Sequence, residues 1–193
     1  MQGASCNAKQ TRNRFDPCRA HYVTAGRRQY AGDCEPCAAA CCHGEVTRSI
    51  GGRYGREMLV SYEWRGAFDN PEVNQLHIRD FEGRVVDEGE WNWSDQVRRH
   101  SLGWVVARHD NALIGFVNVP WDGRVHAWIQ DLVVATAVRR RGVASCLIDL
   151  ARVACRDAGC EWLHVDFESY LKPFYFGACG FKPTNAGLIA LRE

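Results

Sequence analysis

The run Ile129-Gln130-Asp131-Leu132-Val133-Val134, followed closely by Arg139-Arg140-Arg141-Gly142-Val143-Ala144, constrains this chain more than any other feature. It reads as an apolar strand, a short loop, and an arginine-glycine turn that opens a helix. Val143, Leu147, Leu150, Ala151 and Ala154 recur at helical spacing and form one apolar face, while Arg152, Arg156 and Asp157 lie elsewhere. Gly159 suits the left-handed stop that ends many helices. A helix opening leaves about four backbone N–H groups without helical partners, and the aligned peptide dipoles place partial positive charge there. Gly142 carries no Cβ, so a ligand can approach the backbone closely. With three arginines beside it, this is the chemistry of a pyrophosphate cradle. A solvated basic turn would show the same six residues. The strand before them and the helix after them favour phosphate binding.

Composition sets the outer bounds. The chain has 193 residues, 46% of them hydrophobic, with a net charge of +1, which permits one domain with a sizeable core. No apolar run approaches the roughly 20 residues of a membrane span, and the N-terminus lacks the apolar segment of a secretory signal. A cytoplasmic location is therefore expected. Cys146, Cys155, Cys160 and Cys179 fall within the patterned part of the chain and are expected to be free thiols in a reducing compartment.

Charge divides the chain in two. Residues 1–56 hold nine Lys or Arg against four Asp or Glu, giving +5, whereas residues 57–193 hold fifteen against nineteen, giving −4. The first part shows no sustained apolar period, so residues 1–57 are expected to be disordered or weakly ordered, an Arg-, Cys- and Gly-rich extension to a domain spanning 58–193. Cys34, Cys37, Cys41, Cys42 and His43 could be read as a zinc site. The second cluster follows the first after only three residues, however, without the usual spacer. No metal is expected. The basic residues are scattered and lack interleaved aromatics, so nucleic acid is not an expected partner either.

From Met58 onward the pattern is regular. Leu59 to Trp64 reads as a strand, Asn70-Pro71 opens a helix through Leu76 and Ile78, and Trp91 to His100 reads as a second helix after an acidic loop at Glu82–Glu90. Leu102–Arg108, Ala112–Val119 and Arg124–Ala135 form an antiparallel meander, turning at Asp110-Asn111 and Asp122-Gly123. After the Gly142 helix come a strand at Trp162–Asp166, a helix and a terminal strand at Gly187–Leu191. Hairpins plus one crossover imply an α+β fold, with a mixed, mostly antiparallel sheet flanked by helices.

Arg139, Gly142 and Ala144 fit a signature of Gln or Arg, two residues, Gly, one residue, then Gly or Ala. Downstream, Phe174-Tyr175-Phe176-Gly177-Ala178-Cys179-Gly180-Phe181 fits Phe-Tyr-x-x-x-Gly-Phe, and upstream Leu113–Val117 precedes the key strand. In these motifs and their order, the region from Met58 to Arg192 resembles the GNAT family of acyl-CoA-dependent N-acetyltransferases. The resemblance implies the GNAT fold, acetyl-CoA as co-substrate, and transfer of an acetyl group to a primary amine. It also implies that Leu132, Val133 and Val134 offer backbone groups to the pantetheine arm. Arg139, Arg140, Arg141, Gly142, Val143 and Ala144 would hold the pyrophosphate, and Tyr175 would protonate the departing thiolate. Family members often carry Asn seven residues before that tyrosine. Here the position is Glu168, which cannot donate, so it is not assigned to CoA.

An alkyl amine has a pKa of about 10.4 and must lose a proton before it attacks. Asp131, on the strand expected to meet the thioester, is the leading base, with His126, Asp166 and Glu168 as alternatives and Tyr170 as a competing acid. Each of these has a plainer reading as a solvated or packed side chain. Trp91, Trp93, Trp104, Trp121 and Trp128 lie around the expected acceptor side, Trp91 and Trp93 beside Asp87, Glu88 and Glu90, where a cation would be received. Core packing explains most scattered tryptophans equally well. The expected acceptor is a small-molecule or peptide amine, and the expected state a monomer or homodimer. A GNAT-fold module that binds or senses acyl-CoA without turnover is the alternative from another class.

Overall fold

The computed structural model describes residues 45–51, 57–80 and 91–191. The cysteine-histidine cluster at 34–43, the acidic segment 82–90 and most of the N-terminal extension lie outside them. Six strands form one sheet in sequential order: β1 (Glu45–Ile50), β2 (Met58–Trp64), β3 (Ser101–His109), β4 (Ala112–Pro120), β5 (His126–Val134) and β6 (Trp162–Val165). Neighbours pair antiparallel except β5 and β6, which run parallel. Helices α1 (Asn70–Asp80) and α2 (Trp93–His100) precede β3, and α3 (Val143–Asp157) makes the crossover from β5 to β6. The expected mixed, mostly antiparallel sheet is therefore present.

Alternation of side chains assigns the two faces. Val105, Ala107, Val117, Val119, Ala127 and Ile129 pack in one cluster with Val143, Leu147 and Ala151 of α3. Val106, Phe116 and Val133 pack in another with Val73 and Leu76 of α1 and with Trp93 and Val97 of α2. Trp93 is thus a core residue, with its indole N–H donating to Asn74. Gly115 lets α3 approach closely, since a Cβ there would lie 3.0 Å from Leu147 Cδ1. The face of α3 that packs inward is centred on Val143, Leu147 and Ala151, as the apolar period implies, and it also takes in Ile148 and Cys155. On the other face, Arg108 of β3 grips both oxygens of Glu72 of α1, at 2.8 and 2.7 Å.

Two expectations are corrected. The sheet begins before Met58: β1 pairs along its length with β2, and Ile50 enters the α3-side core. A six-residue edge strand with one inward residue is too short to show a period, but its pairing groups and Ile50 suffice to order it. Conversely, Gly187–Leu191 forms no strand, and Leu188, Ile189 and Leu191 are exposed. Pro183 lacks a backbone donor and Gly187 adds conformational freedom, so this short segment cannot offset its ordering entropy by pairing.

Candidate active site

The site begins with an irregularity in β5. Phe116 pairs with Val133 and Asn118 with Gln130, so Val117 of β4 stands opposite both Asp131 and Leu132. This is a β-bulge, and it re-aims the side chains it displaces. Asp131 takes φ of 53°, a left-handed conformation that Asp tolerates better than most residues. Leu132 packs towards Tyr175, whereas the Asp131 carboxylate receives a hydrogen bond from Asn118 Nδ2 at 3.2 Å.

Past the bulge the parallel pair separates. β5 and β6 are bonded only between residues 126–129 and 162–165. Beyond them the strands diverge into a cleft of about 1270 Å³ bordered by β5, the start of α3, and residues 166–175. Asp131, Leu132, Val133, Val134, Arg139, Arg140, Gly142, Val143, Ala144 and Tyr175 all line it, but Arg141 does not. The cleft also takes in Ser145, Phe167 and Leu171, which the motifs did not single out.

At the inner end of the cleft, a 3₁₀ turn at Thr136–Val138 leads into the basic loop. Arg139 Nε donates to Val134 O at 3.1 Å, tying the loop back to the strand, and Arg140 and Gly142 both take positive φ. Gly142, with φ of 88°, is the N-cap of α3, and no side chain caps that end. A Cβ at Gly142 would meet nothing within 4 Å, so the space beside the helix opening is free for a ligand. Open space, uncapped N–H groups, the helix dipole and two arginines suit a pyrophosphate.

At the other wall, Tyr175 sits on a π-helical turn, Pro173–Ala178, that Pro173 opens. Its ring is buried, stacked on Phe167 with centroids 4.4 Å apart, and flanked by Phe174 and Phe181. Burial pushes its phenol up to about 12, so at neutral pH it holds its proton and can only donate. Tyr170, the competing acid, is exposed. The Asp131 carboxyl is raised above the usual carboxylate range by burial, partly opposed by the Asn118 hydrogen bond. A raised pKa makes a carboxylate a stronger base at neutral pH.

The remaining expected residues separate. His126 is engaged with His164 of β6, with Nδ1 and Nε2 2.7 Å apart, and both rings stack with Trp128. One imidazole must donate and the other accept. Asp166 and Glu168 line the cleft but are exposed. Trp104 is packed against Phe68, and its indole donates to Gly66 O at 2.8 Å. Asn118 is the polar residue that motif reading passed over. Its signal was a single amide inside the apolar run Phe116-Val117-Asn118-Val119.

Cys146, Cys155, Cys160 and Cys179 are free thiols. Among the described residues no cluster of His, Cys, Asp and Glu is arranged to hold a metal ion, and no helix is long and apolar enough to cross a membrane.

No sequence among curated proteins matches the chain. Solved structures share its fold. An acetyltransferase of Trypanosoma brucei is 22% identical with a TM-score of 0.53, covering 68% of this chain and 98% of its own. Glucosamine-6-phosphate N-acetyltransferase of Arabidopsis thaliana is 16% identical with a TM-score of 0.54, covering 68% and 99%. An aminoglycoside 6′-N-acetyltransferase of Acinetobacter haemolyticus is 15% identical with a TM-score of 0.54, covering 68% and 97%. The model of the Acetyltransferase (GNAT) family matches residues 70–181, from the start of α1 through the Tyr175 turn. The strand, the bulge, the glycine-opened helix and the buried tyrosine all lie inside that match, and the chain belongs to the GNAT family of acetyltransferases.

Proposed function

We propose that this acetyltransferase moves an acetyl group from acetyl-CoA directly to a primary amine within a ternary complex. The observation that carries the reading is one cleft lined at once by the helix-opening Gly142, the bulged Asp131 and the buried Tyr175. In this reading Gly142, Val143 and Ala144 receive the pyrophosphate through backbone N–H groups, and Arg139 and Arg140 neutralise its charge. The backbone of Leu132, Val133 and Val134 receives the pantetheine arm, and Arg141 contributes charge from outside the cleft wall. Acetyl-CoA supplies an activated thioester.

Asp131 takes the proton from the acceptor's ammonium group, freeing the nitrogen lone pair for attack on the thioester carbonyl. A backbone N–H at the bulge stabilises the oxyanion that forms. As the carbon–sulfur bond breaks, Tyr175 gives its proton to the leaving thiolate, and the second proton on the attacking nitrogen departs through water as the amide forms and restores the phenol. Thiols ionise near 8.5, so this transfer is uphill from a phenol near 12 and proceeds only while sulfur carries developing charge inside the same water-poor site. The acceptor is a small-molecule or peptide amine. The four free thiols support a reducing, cytoplasmic setting.

The test is calorimetry of the full chain with acetyl-CoA, followed by thiol release over a panel of aminoglycosides, amino sugars, polyamines and peptides. Micromolar binding and turnover with one amine class is the expected result. Absence of binding at millimolar acetyl-CoA refutes the reading. Tyr175→Phe is expected to lower turnover about 10²-fold with acetyl-CoA affinity retained, and full turnover in that variant removes Tyr175 as the acid.

A further inference from the structure

Asn118 is fully buried, 0% exposed, in a strand whose other inward positions are apolar. A buried amide costs stability unless both its ends are paired. Here they are: Ser101 Oγ lies 2.5 Å from Asn118 Oδ1, and Asn118 Nδ2 lies 3.2 Å from Asp131 Oδ2. The amide oxygen can only accept, so the Ser101 hydroxyl donates to it. A hydroxyl can serve either end of an amide, so it is the ionised carboxylate, an acceptor only, that decides which end faces Asp131. A flipped amide would set its oxygen against a carboxylate oxygen, acceptor against acceptor. We propose that Asn118 is a positioning residue that aims the Asp131 carboxylate across the bulge, with Ser101 anchoring the other end of the amide.

This rests on reading Asp131 as the base. Asn118 stands at the position where the β4–β5 register breaks, so its side chain steadies a residue that the backbone ladder does not. It occupies Oδ2 and leaves Oδ1 to take a proton from the acceptor. It also decides the charge state. Burial drives the carboxyl towards neutrality, and the Asn118 N–H favours the ionised form needed in a base. β4 carries no ionisable side chain. Among the described side chains, the ionisable residues on the elements around Asp131 include Glu72 and His77 of α1, Asp95, Arg98, Arg99 and His100 of α2, Arg108 of β3, His126 of β5 itself, His164 of β6, and Asp166, Glu168, Tyr170 and Tyr175 along the cleft, while α3, which carries Cys146, Asp149 and Arg152, lies on the opposite face of the sheet. Burial and the Asn118 bond are the influences that set Asp131.

The experiment follows the side-chain carboxyl carbon of Asp131 by NMR against pH in the full chain, with its signal identified by loss in Asp131→Asn. This readout needs no acceptor. Asn118→Leu keeps size and burial and removes the donor. The expected result is an upward move of the Asp131 midpoint by about one pH unit, a tenfold change in proton affinity. The acid limb of turnover, with whichever panel amine is acetylated, is expected to move equally while KM for acetyl-CoA stays unchanged. Ser101→Ala is expected to move both in the same direction by less, and it covers the case in which Asn118→Leu does not fold. An unmoved midpoint in a folded variant overturns the proposal. If the midpoint moves while Asp131→Asn keeps full turnover, the base assignment fails and the Asn118 contact stands as purely structural.

Discussion

One end of the cleft comes from one continuous stretch, residues 132–145, in which strand, turn and helix opening succeed one another. The end proposed to be catalytic draws on β3 for Ser101, β4 for Asn118, β5 for Asp131 and the turn after β6 for Tyr175. In the first region the chemistry belongs to the backbone: uncapped N–H groups, a positive φ and a missing Cβ. In the second it belongs to side chains whose properties come from burial. A backbone site tolerates sequence change wherever φ and helix direction are kept. A side-chain site depends on distant strands arriving in register. The two regions should therefore break in different ways.

The largest effect is expected at Asp131. Asn is close in size and tolerates the left-handed φ, so Asp131→Asn removes the proposed base with little backbone cost. Turnover should fall about 10²- to 10⁴-fold with acetyl-CoA affinity unchanged. The same variant should melt higher at neutral pH. The folded-state pKa of Asp131 is raised, so the folded state holds more protons between the unfolded and folded values, and stability falls as pH rises through that window. The gain from Asn should be present above the window and vanish below it. A variant with reduced turnover but no gain in melting temperature would contradict a carboxyl raised by partial burial.

Gly142 tests the backbone region. Gly142→Ala should cost roughly 1–2 kcal/mol through its left-handed φ. Gly142→Asp bears less φ strain but places a carboxylate in the anion site, so acetyl-CoA affinity should fall about 100-fold, well beyond any loss in Gly142→Ala. Isothermal titration of both folded variants separates the two causes. Equal losses would mean that backbone strain matters and charge does not.

An effect on stability alone, leaving acetyl-CoA affinity in place, belongs to the far edge of the sheet. A chain starting at Met58 lacks β1 and the buried Ile50, and should lose about 1.5–3 kcal/mol from that side chain alone. A chain starting at Glu45 is expected to melt with the full-length protein and keep its acetyl-CoA affinity. Equal melting temperatures for the Met58 and Glu45 forms would show that β1 adds nothing.

Local periodicity carried the reading of β2 to β6, the three helices and the Gly142 turn, because each is specified by neighbours within a few residues. β1 escaped because a short edge strand gains order from its partner's pairing groups, not from its own apolar pattern. The terminal strand was read from Leu188, Ile189 and Leu191, whose apolar character was real but whose pairing partner was never specified. The arginine-glycine motif showed where an anion could sit and how the backbone must bend there. What only tertiary structure decided was the state of the side chains proposed to be catalytic. The bulge opposite Val117, the amide of Asn118 held between Ser101 and Asp131, and the burial that raises Asp131 and Tyr175 all arise where separate parts of the chain meet. Proton affinity depends on dielectric and on hydrogen-bond partners, and both are properties of the assembled sheet.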